Sequence, residues 1–264
     1  MKASDILIYL RSLNGGWMNL DSTVDTFKSG DPDMEVRGIA VGWMSYTWAL
    51  QKALELGCNV FVTHEPTYFD HCDNNERMLA LPAVQQKRRF IEQSGLIILR
   101  CHDLWDQYPG AGIPDSWGSW LQLGQMVGGD GYYRVYDVSG RTARDVARQV
   151  AARCAPFGQN SVQLIGPADK VVHRIAIGTG AITRFQHMLT LFDTDLVLCT
   201  DDGFTYWRDG AYAIDMDIPA IVVNHAVSEE AGLMSLAACL SQQFPAVPVH
   251  HIPQHCMYQL VSAS

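Results

Sequence analysis

Short apolar runs alternate with stretches of helical spacing in the first half of the chain. Strand-like runs are VRGIAVGWM (36–44), CNVFVTHEP (58–66) and LIILRCHD (96–103). Between them lie the helical patterns SYTWALQKALELG (45–57) and NNERMLALPAVQQKRRFIEQSG (74–95). Pro82 predicts an interruption of the second helix, because proline lacks the N–H that a helix interior requires. The alternation of strands and helices predicts parallel strands joined by crossover helices.

The second half repeats this alternation of strands and helices. Strands are predicted at 173–181, 195–203 and 218–226, helices at 182–192, 205–217 and 228–244, and an edge strand at 247–253. Residues 130–166, which lie between the halves, predict a strand, a helix and a strand. We therefore predict an α/β fold of two similar lobes with mostly parallel sheets flanked by helices. Residues 1–128 form the first lobe, and 129–264 complete the same intertwined unit with a middle segment and the second lobe.

The amino-acid composition indicates which kinds of partner the protein can bind. Charged residues make up 18% of the 264 residues, below the usual quarter or so, which favours a surface partly covered by other subunits. The formal net charge of −9 argues against a nucleic-acid partner, because nothing attracts a phosphate backbone. The same acidic balance suits a protein that binds cations.

Cysteine usage and hydropathy indicate a cytoplasmic protein. The seven cysteines form no CxxC pair, and an odd number of thiols is typical of a reducing compartment. The N-terminal segment MKASDILIYLRSLNGGW lacks the long apolar run of a signal peptide and predicts an ordinary helix. No apolar stretch reaches membrane-spanning length, so we expect no membrane association.

Candidate metal ligands follow three of the predicted strands. The segments are THEP (63–66), CHDLWD (101–106) and NHAVSE (224–229). Ligand-binding residues of open parallel sheets lie just past the carboxyl ends of strands, and a mixed set of imidazoles and carboxylates suits zinc, iron or manganese. The candidates are His64, Glu65, His102, Asp103, Asp106, His225 and Glu229.

Each motif taken alone has an ordinary explanation. A single histidine at a strand end is more often a hydrogen-bonded polar residue than a ligand, and HxxxD or HxxxE pairs occur by chance in chains of this size. The second motif and the segment after it contain three tryptophans, Trp105, Trp117 and Trp120. These are more simply explained as packing residues than as a stacking platform. The order of the three motifs carries more weight than any one of them.

That order resembles the NIF-three-like family, whose members are dinuclear-metal, toroidal hexamers often described as GTP cyclohydrolase type two. The family has T-H-H-P where this chain has THEP (63–66), and H-T-x-x-D where it has HDLWD (102–106). A GTG strand follows at 178–180, and G-H-x-x-x-E near the C-terminus corresponds to NHAVSE (224–229). The resemblance extends from about Asp21 to the last helix.

The resemblance implies two divalent metal ions per chain, of iron, manganese or zinc, in a site between the lobes. It also implies a homo-hexameric ring with inward-facing sites. The implied metal ligands are His64, Glu65, Asp106, His225 and Glu229. Asp106 and Glu229 would bridge the metals or act as the catalytic base, and His102 and Asp103 would orient the ligands from alongside.

The chain departs from the family pattern at several positions. Glu65 replaces the second histidine of the first motif, Asn224 replaces the glycine before His225, and the T-G-E/D segment becomes Thr200-Asp201-Asp202. Tyr206 and Trp207 stand near the position of a further family histidine. As a ligand, Glu65 would add a negative charge beside the metals and favour manganese or iron over zinc. Alternatively, Glu65 points away and accepts a hydrogen bond from a backbone amide.

Two functions of different classes follow. One is a metal-dependent hydrolase acting on a nucleotide or another phosphate-containing small molecule. The other is a non-enzymatic metal-binding ring that serves as a scaffold or regulator. The chain has no P-loop or GxGxxG, and the basic residues Lys170, Arg174, Arg184 and Arg208 are scattered along the sequence.

Overall fold

The chain folds into two units, each built on its own sheet. The computed structural model describes residues 1–261, except for the side chain of Leu191; the predicted second lobe's last residues, 262–264, lie outside the described part. Unit 1 comprises Met1–Gly112 and Leu233–Gln254, and unit 2 comprises Ile113–Gly232 and the segment from His255 onward.

The elements up to residue 112 follow the predicted alternation. They are α1 (Ala3–Ser12), β1 (Phe27–Ser29), β2 (Ile39–Gly42), α2 (Thr47–Glu55), β3 (Val60–Thr63), α3 (Glu76–Leu79), α4 (Pro82–Ser94), β4 (Ile97–Arg100) and α5 (Asp103–Gln107). Pro82 divides the predicted helix 74–95 and stands at the first position of α4, where its missing N–H is not needed. Gly95 ends α4 in the left-handed conformation that glycine adopts without strain.

The remaining elements run from α6 to β11. They are α6 (Ile113–Leu121), β5 (Met126–Asp130), β6 (Tyr133–Thr142), α7 (Ala143–Cys154), β7 (Gln163–Ile165), β8 (Val171–Ile177), α8 (Phe185–Phe192), β9 (Leu196–Thr200), α9 (Ala211–Asp215), β10 (Ala220–Val223), α10 (His225–Gln243) and β11 (Val249–His251). Single turns at Ala155–Phe157 and Gly180–Ile182 are of the 3-10 type, and Tyr206–Gly210 forms a π-helical turn before α9.

The sheet of unit 1 has the order β1-β4-β3-β2-β11. The strands β11, β2, β3 and β4 are parallel, as predicted, and β1 adds an antiparallel edge. Ala40, Phe61 and Ile98 are neighbours in register and share one apolar face. Leu50 of α2 and Ile91 of α4 pack against this face, so the crossover helices bury it.

The sheet of unit 2 has the order β5-β6-β8-β9-β10-β7. Its centre, β8-β9-β10, is parallel, and the strands on either side are antiparallel, so the sheet is mixed. One face packs on α6 and α7 through residues such as Val146 and Leu198, and the other packs on α8 and α9 through residues such as Met188 and Val197. Helices therefore cover both faces of the predicted α/β layer.

The tryptophans that follow the second motif are packing residues. Trp105 is buried and stacks on Tyr108, with ring centroids 4.9 Å apart. Trp117 is buried in the core of unit 2, and Trp120 stacks on Phe157 at 4.7 Å. Within residues 1–261, none of the helices combines the length and the hydropathy needed to cross a bilayer.

Candidate metal centre

The first two motifs of unit 1 meet at one edge of its sheet. His64 directly follows β3, and His102 lies two residues after the end of β4. Thr63 and Arg100, the last residues of these parallel strands, are partners in register. Because carboxyl ends of parallel strands meet at the same edge, the two histidines become neighbours.

His64, His102 and Asp106 form a cluster that could bind a metal ion. Their potential ligand atoms all lie within 4.8 Å of one another. His64 Nε2 is 3.3 Å from Asp106 Oδ1, and His102 Nδ1 is 3.6 Å from Asp106 Oδ2. The two imidazole rings stack with centroids 4.7 Å apart. His102, which we expected beside the ligands, thus belongs to the cluster itself.

The hydrogen bond of His64 fixes which of its nitrogens can bind a metal. Nδ1 of this buried ring lies 3.1 Å from the carbonyl oxygen of Cys101, which can only accept. In the neutral ring Nδ1 therefore carries the proton, and the lone pair of Nε2 faces the carboxylate of Asp106. Two acceptors 3.3 Å apart repel unless a cation or a shared proton lies between them, so the pair suits a divalent ion.

Local charges keep the carboxylates of this cluster ionised. Burial would raise the pKa of Asp106, but its interactions with His102 and His64 together outweigh this effect, and the pKa of Asp106 is lowered. Burial also opposes ionisation of Asp103, yet its bonds with His102 and Thr23 hold its pKa below the usual range. Burial would lower the pKa of His102, but the charge of Asp106 and the hydrogen bond with Asp103 together outweigh this effect, and the pKa of His102 is raised.

Asp25 positions the second motif from a distant part of the sequence. Its buried carboxylate accepts backbone hydrogen bonds from His102 (2.7 Å), Asp103 (3.1 Å) and Leu104 (2.9 Å). These N–H groups begin α5, where helical partners are lacking. Burial raises the pKa of Asp25 despite these bonds. Asp25 carries no signal in the sequence, because nothing near position 25 indicates a cap for residues 102–104.

Glu65 lies beside a buried arginine. Its Oε2 is 3.6 Å from Nη2 of Arg100, the last residue of β4. Its backbone N–H donates to the carbonyl oxygen of Trp43 at 2.7 Å, which fixes the chain at the strand end. Arg100 carried no signal in the sequence, because a cation in an apolar run resembles a surface residue of a strand.

In unit 2, the third motif forms a second set of candidate ligands. His225 is the first residue of α10, and Glu229 lies one turn later. His225 Nε2 is 3.1 Å from Glu229 Oε1, and Nδ1 is 3.2 Å from Asp202 Oδ2. Both ring nitrogens thus face carboxylate oxygens, and Glu229 is buried. This nitrogen and oxygen set also suits a divalent transition metal.

Asp201 anchors the start of α10. Its Oδ1 accepts from the backbone N–H of His225 at 2.9 Å, and its Oδ2 accepts from Asn224 Nδ2 at 2.8 Å. The backbone N–H of Asn224 donates to Gln159 Oε1 at 3.0 Å. Asn224, which replaces the glycine of the family pattern, therefore helps to fix the position of His225.

Gly180 of the GTG segment leaves room for this pair. Its φ is +60°, and a Cβ at this position would lie 2.9 Å from Glu229 Oε1 and 3.3 Å from His225 Nε2. Only glycine combines this backbone conformation with such a close approach. The backbone at Gly180 thus packs directly against the atoms that would hold a metal, and we call this close approach the Gly180 cradle.

Two further positions that depart from the family pattern lie in an exposed turn. Tyr206 and Trp207 are 80% and 68% exposed, and neither offers the imidazole of the family. Among the scattered basic residues, Lys170 Nζ donates to the carbonyl oxygen of Asp217, and Arg208 pairs with Asp209 at 2.8 Å. These cations are engaged locally rather than gathered into a phosphate clamp.

A cavity of about 560 Å³ is lined in part by Gln159, the residue that accepts the hydrogen bond from the backbone N–H of Asn224. It is lined by uncharged residues of unit 2, namely Gly158, Gln159, Asn160, Ser161, Val162, Gln163, Cys256, Tyr258, Gln259 and Leu260. Its size is in the range of small-molecule sites.

Comparison with known proteins identifies a family and similar folds. The model of the family Duf34/NIF3 (NGG1p interacting factor 3) matches residues 3–256. No curated protein matches the chain. The fold is similar to that of the Bacillus cereus protein related to NIF3, with a TM-score of 0.80, 13% identity and 99% of each chain covered.

Two further solved structures are similar across most of their length. The Staphylococcus aureus protein SA1388 gives a TM-score of 0.79 at 17% identity, with 99% of each chain covered. Reduced HcgD from Methanocaldococcus jannaschii gives 0.73 at 16% identity, with 95% of this chain and 97% of that chain covered. At these identities the likeness concerns the fold alone. The family match over nearly the whole sequence shows that this chain belongs to the Duf34/NIF3 family.

Proposed function

We propose that this chain holds a dinuclear centre of iron, manganese or zinc and uses it for hydrolysis. The proposed ligands are His64, Glu65, Asp106, His225 and Glu229. The observation that carries the proposal is that an imidazole Nε2 faces a carboxylate oxygen in two places. The distance is 3.3 Å between His64 and Asp106, and 3.1 Å between His225 and Glu229. Buried donors of this kind, oriented by further hydrogen bonds, are typical of transition-metal sites.

The metal ions would act as Lewis acids that polarise a substrate oxygen and acidify water. The protein's own residues supply orientation and proton transfer. Asp106 has a lowered pKa, which favours a role as a ligand over a role as a base. We therefore assign the base to Glu229, the other candidate carboxylate, whose Oε1 lies 3.1 Å from Nε2 of His225.

The substrate class we propose is a nucleotide or another phosphate-containing small molecule. Lys170 donates to the backbone carbonyl oxygen of Asp217, and Arg208 pairs with the carboxylate of Asp209. We therefore expect the positive charge that faces a phosphate to come mainly from the metals. The cavity of uncharged residues beside Asn224 offers amide donors and acceptors for a neutral part of such a molecule.

We also propose a cytoplasmic homo-hexamer. Tyr206, Trp207 and Ile214 are 80%, 68% and 65% exposed, which supports contacts with other copies of the chain. The seven cysteines are free thiols, which fits a reducing compartment.

A hydrolysis screen tests the proposal. Protein loaded with manganese, iron or zinc would be assayed with phosphate monoesters, nucleotides including GTP, and amides. We expect metal-dependent turnover that falls at least a hundredfold in Glu229→Gln. Protein that binds metal but hydrolyses none of these substrates would contradict the enzymatic proposal and favour the metal-binding scaffold.

A further inference from the structure

Arg100 is a fully buried cation at the edge of the sheet that carries the first motif. Its side chain has no exposed surface, which is rare for arginine unless the charge is compensated. It lies at the end of β4, one strand away from His64 and Glu65. A buried guanidinium so close to candidate metal ligands requires a physical reason, because it repels a divalent cation.

Two of its nitrogens hold the loop that follows β3. Nε donates to the backbone carbonyl oxygen of His64 at 2.9 Å, and Nη1 donates to the backbone carbonyl oxygen of His71. Through these bonds the planar guanidinium fixes both ends of the loop 64–71. Lysine has no such fork of donors, so the two contacts select arginine.

The third nitrogen faces Glu65. Nη2 is buried and has no hydrogen-bond partner among the described residues, yet it lies 3.6 Å from Glu65 Oε2. The side chain of Glu65 is only 13% exposed, so water screens this pair weakly. The carboxylate and the guanidinium therefore offset much of each other's charge.

We propose that Arg100 is a positioning residue that sets the charge and direction of Glu65 toward the proposed metal centre. This inference rests on the proposed function. It changes the expectation for Glu65, because a carboxylate paired with Arg100 adds much less than one full negative charge beside the metals. The Glu65 and Arg100 pair then resembles a neutral ligand in its charge, while it keeps an oxygen donor in place of an imidazole.

A double-mutant cycle tests this role. The four proteins are wild type, Glu65→Gln, Arg100→Met and the double variant, and the measurement is the dissociation constant of Mn²⁺ and Zn²⁺ by competition with a chelating dye. Loss of the bonds to His64 and His71 occurs with either residue at position 65, so this loss cancels in the cycle. Arg89→Met, an exposed arginine of α4, controls for the substitution itself.

With Glu65 present, removal of Arg100 should release the carboxylate charge toward the metal. The first ratio is the dissociation constant of Arg100→Met divided by that of wild type. The second is the dissociation constant of the double variant divided by that of Glu65→Gln. We therefore expect the first ratio to be at least tenfold lower than the second. Tenfold corresponds to about 1.4 kcal/mol. Arg100→Lys should restore most of the wild-type affinity, because it keeps the charge.

The outcomes separate the two proposals. Metal binding with the two ratios equal within twofold would overturn the role of Arg100 and leave the metal centre intact. Absence of metal from wild type, with all four proteins folded by circular dichroism, would overturn the metal centre and the role of Arg100 with it. If Arg100→Met alone does not fold, Arg100→Gln, which also removes the charge, replaces it in the cycle with the same criterion.

Discussion

Substitution of Gly180 by alanine should damage the candidate ligand pair of unit 2 without removing any ligand. The new Cβ would lie 2.9 Å from Glu229 Oε1 and 3.3 Å from His225 Nε2. Ordinary contacts begin at 3.4 Å, so the Glu229 carboxylate must retreat by about half an ångström. Metal ligands tolerate displacements of only about 0.2 Å from their preferred distances.

The substitution should have two separate effects, one on stability and one on metal affinity. A φ of +60° costs alanine about 1 kcal/mol relative to glycine, whatever its surroundings. The displaced carboxylate adds a loss of metal affinity, which we expect to be at least tenfold, or about 1.4 kcal/mol.

Gly131→Ala is the matched control. Gly131 has a φ of +52°, and a Cβ there would meet nothing within 4 Å. Both variants should lower the free energy of unfolding of the metal-free protein, measured in urea, by about 1 kcal/mol for the backbone strain. Only Gly180→Ala should weaken metal binding, measured by isothermal titration calorimetry. Equal metal affinities of the two variants would show that the Gly180 cradle does not shape a metal site.

Three further predictions concern charge, capping and assembly. Burial lowers the pKa of Lys87 from 10.5 to about 8, so the unfolded chain binds more protons between these values and the fold gains stability as the pH rises. The free energy of unfolding of wild type relative to Lys87→Met should therefore rise by about 2 kcal/mol from pH 7 to pH 9.5, whereas Lys52→Met, at an exposed lysine, should show no such trend. Asp25→Asn should lower the free energy of unfolding in urea by about 1–3 kcal/mol, because three backbone donors lose a charged acceptor; a change no larger than that of the exposed control Asp21→Asn would contradict the capping role. Light scattering should give six times the chain mass of 29.3 kDa, and a mass of one chain at micromolar concentration would rule out the proposed ring.

The parallel cores were predictable because their signal is local. Apolar runs such as 58–63 and 96–100 need no distant information to be recognised as buried strands, and each follows a helix of clear period. The strands β1 and β5 were not predicted. The first has three residues with a lysine at its centre, and the second contains two glycines and is exposed at every position, so neither carries an apolar pattern.

Helix starts were harder to predict than helix positions. The last helix was predicted from residue 228, but it begins at His225, because Asp201 accepts a hydrogen bond from the first N–H group. The predicted helix 205–217 is a π-helical turn followed by the short helix α9. In the first case the deciding contact comes from another strand end and leaves no mark near the helix in sequence.

The candidate ligands were predictable, but the groups that hold them were not. His64, Asp106, His225 and Glu229 stand in recognisable motifs at strand ends. Asp25 acts on residues 102–104 across a large sequence separation. Arg100 and Lys87 are buried cations in segments whose pattern alone would place them at the surface, and only the fold shows which oxygens they bind.

Metal content is the most direct test of the proposed metal centre and its ligands. Wild type, His64→Ala and His225→Ala would be purified without chelators and analysed by inductively coupled plasma mass spectrometry, with His173→Ala, at an exposed histidine, as the control. We expect about two equivalents of iron, manganese or zinc in wild type and His173→Ala, and the loss of at least one equivalent in each of the other two variants. Undiminished metal in both His64→Ala and His225→Ala would contradict the assignment of these residues as ligands.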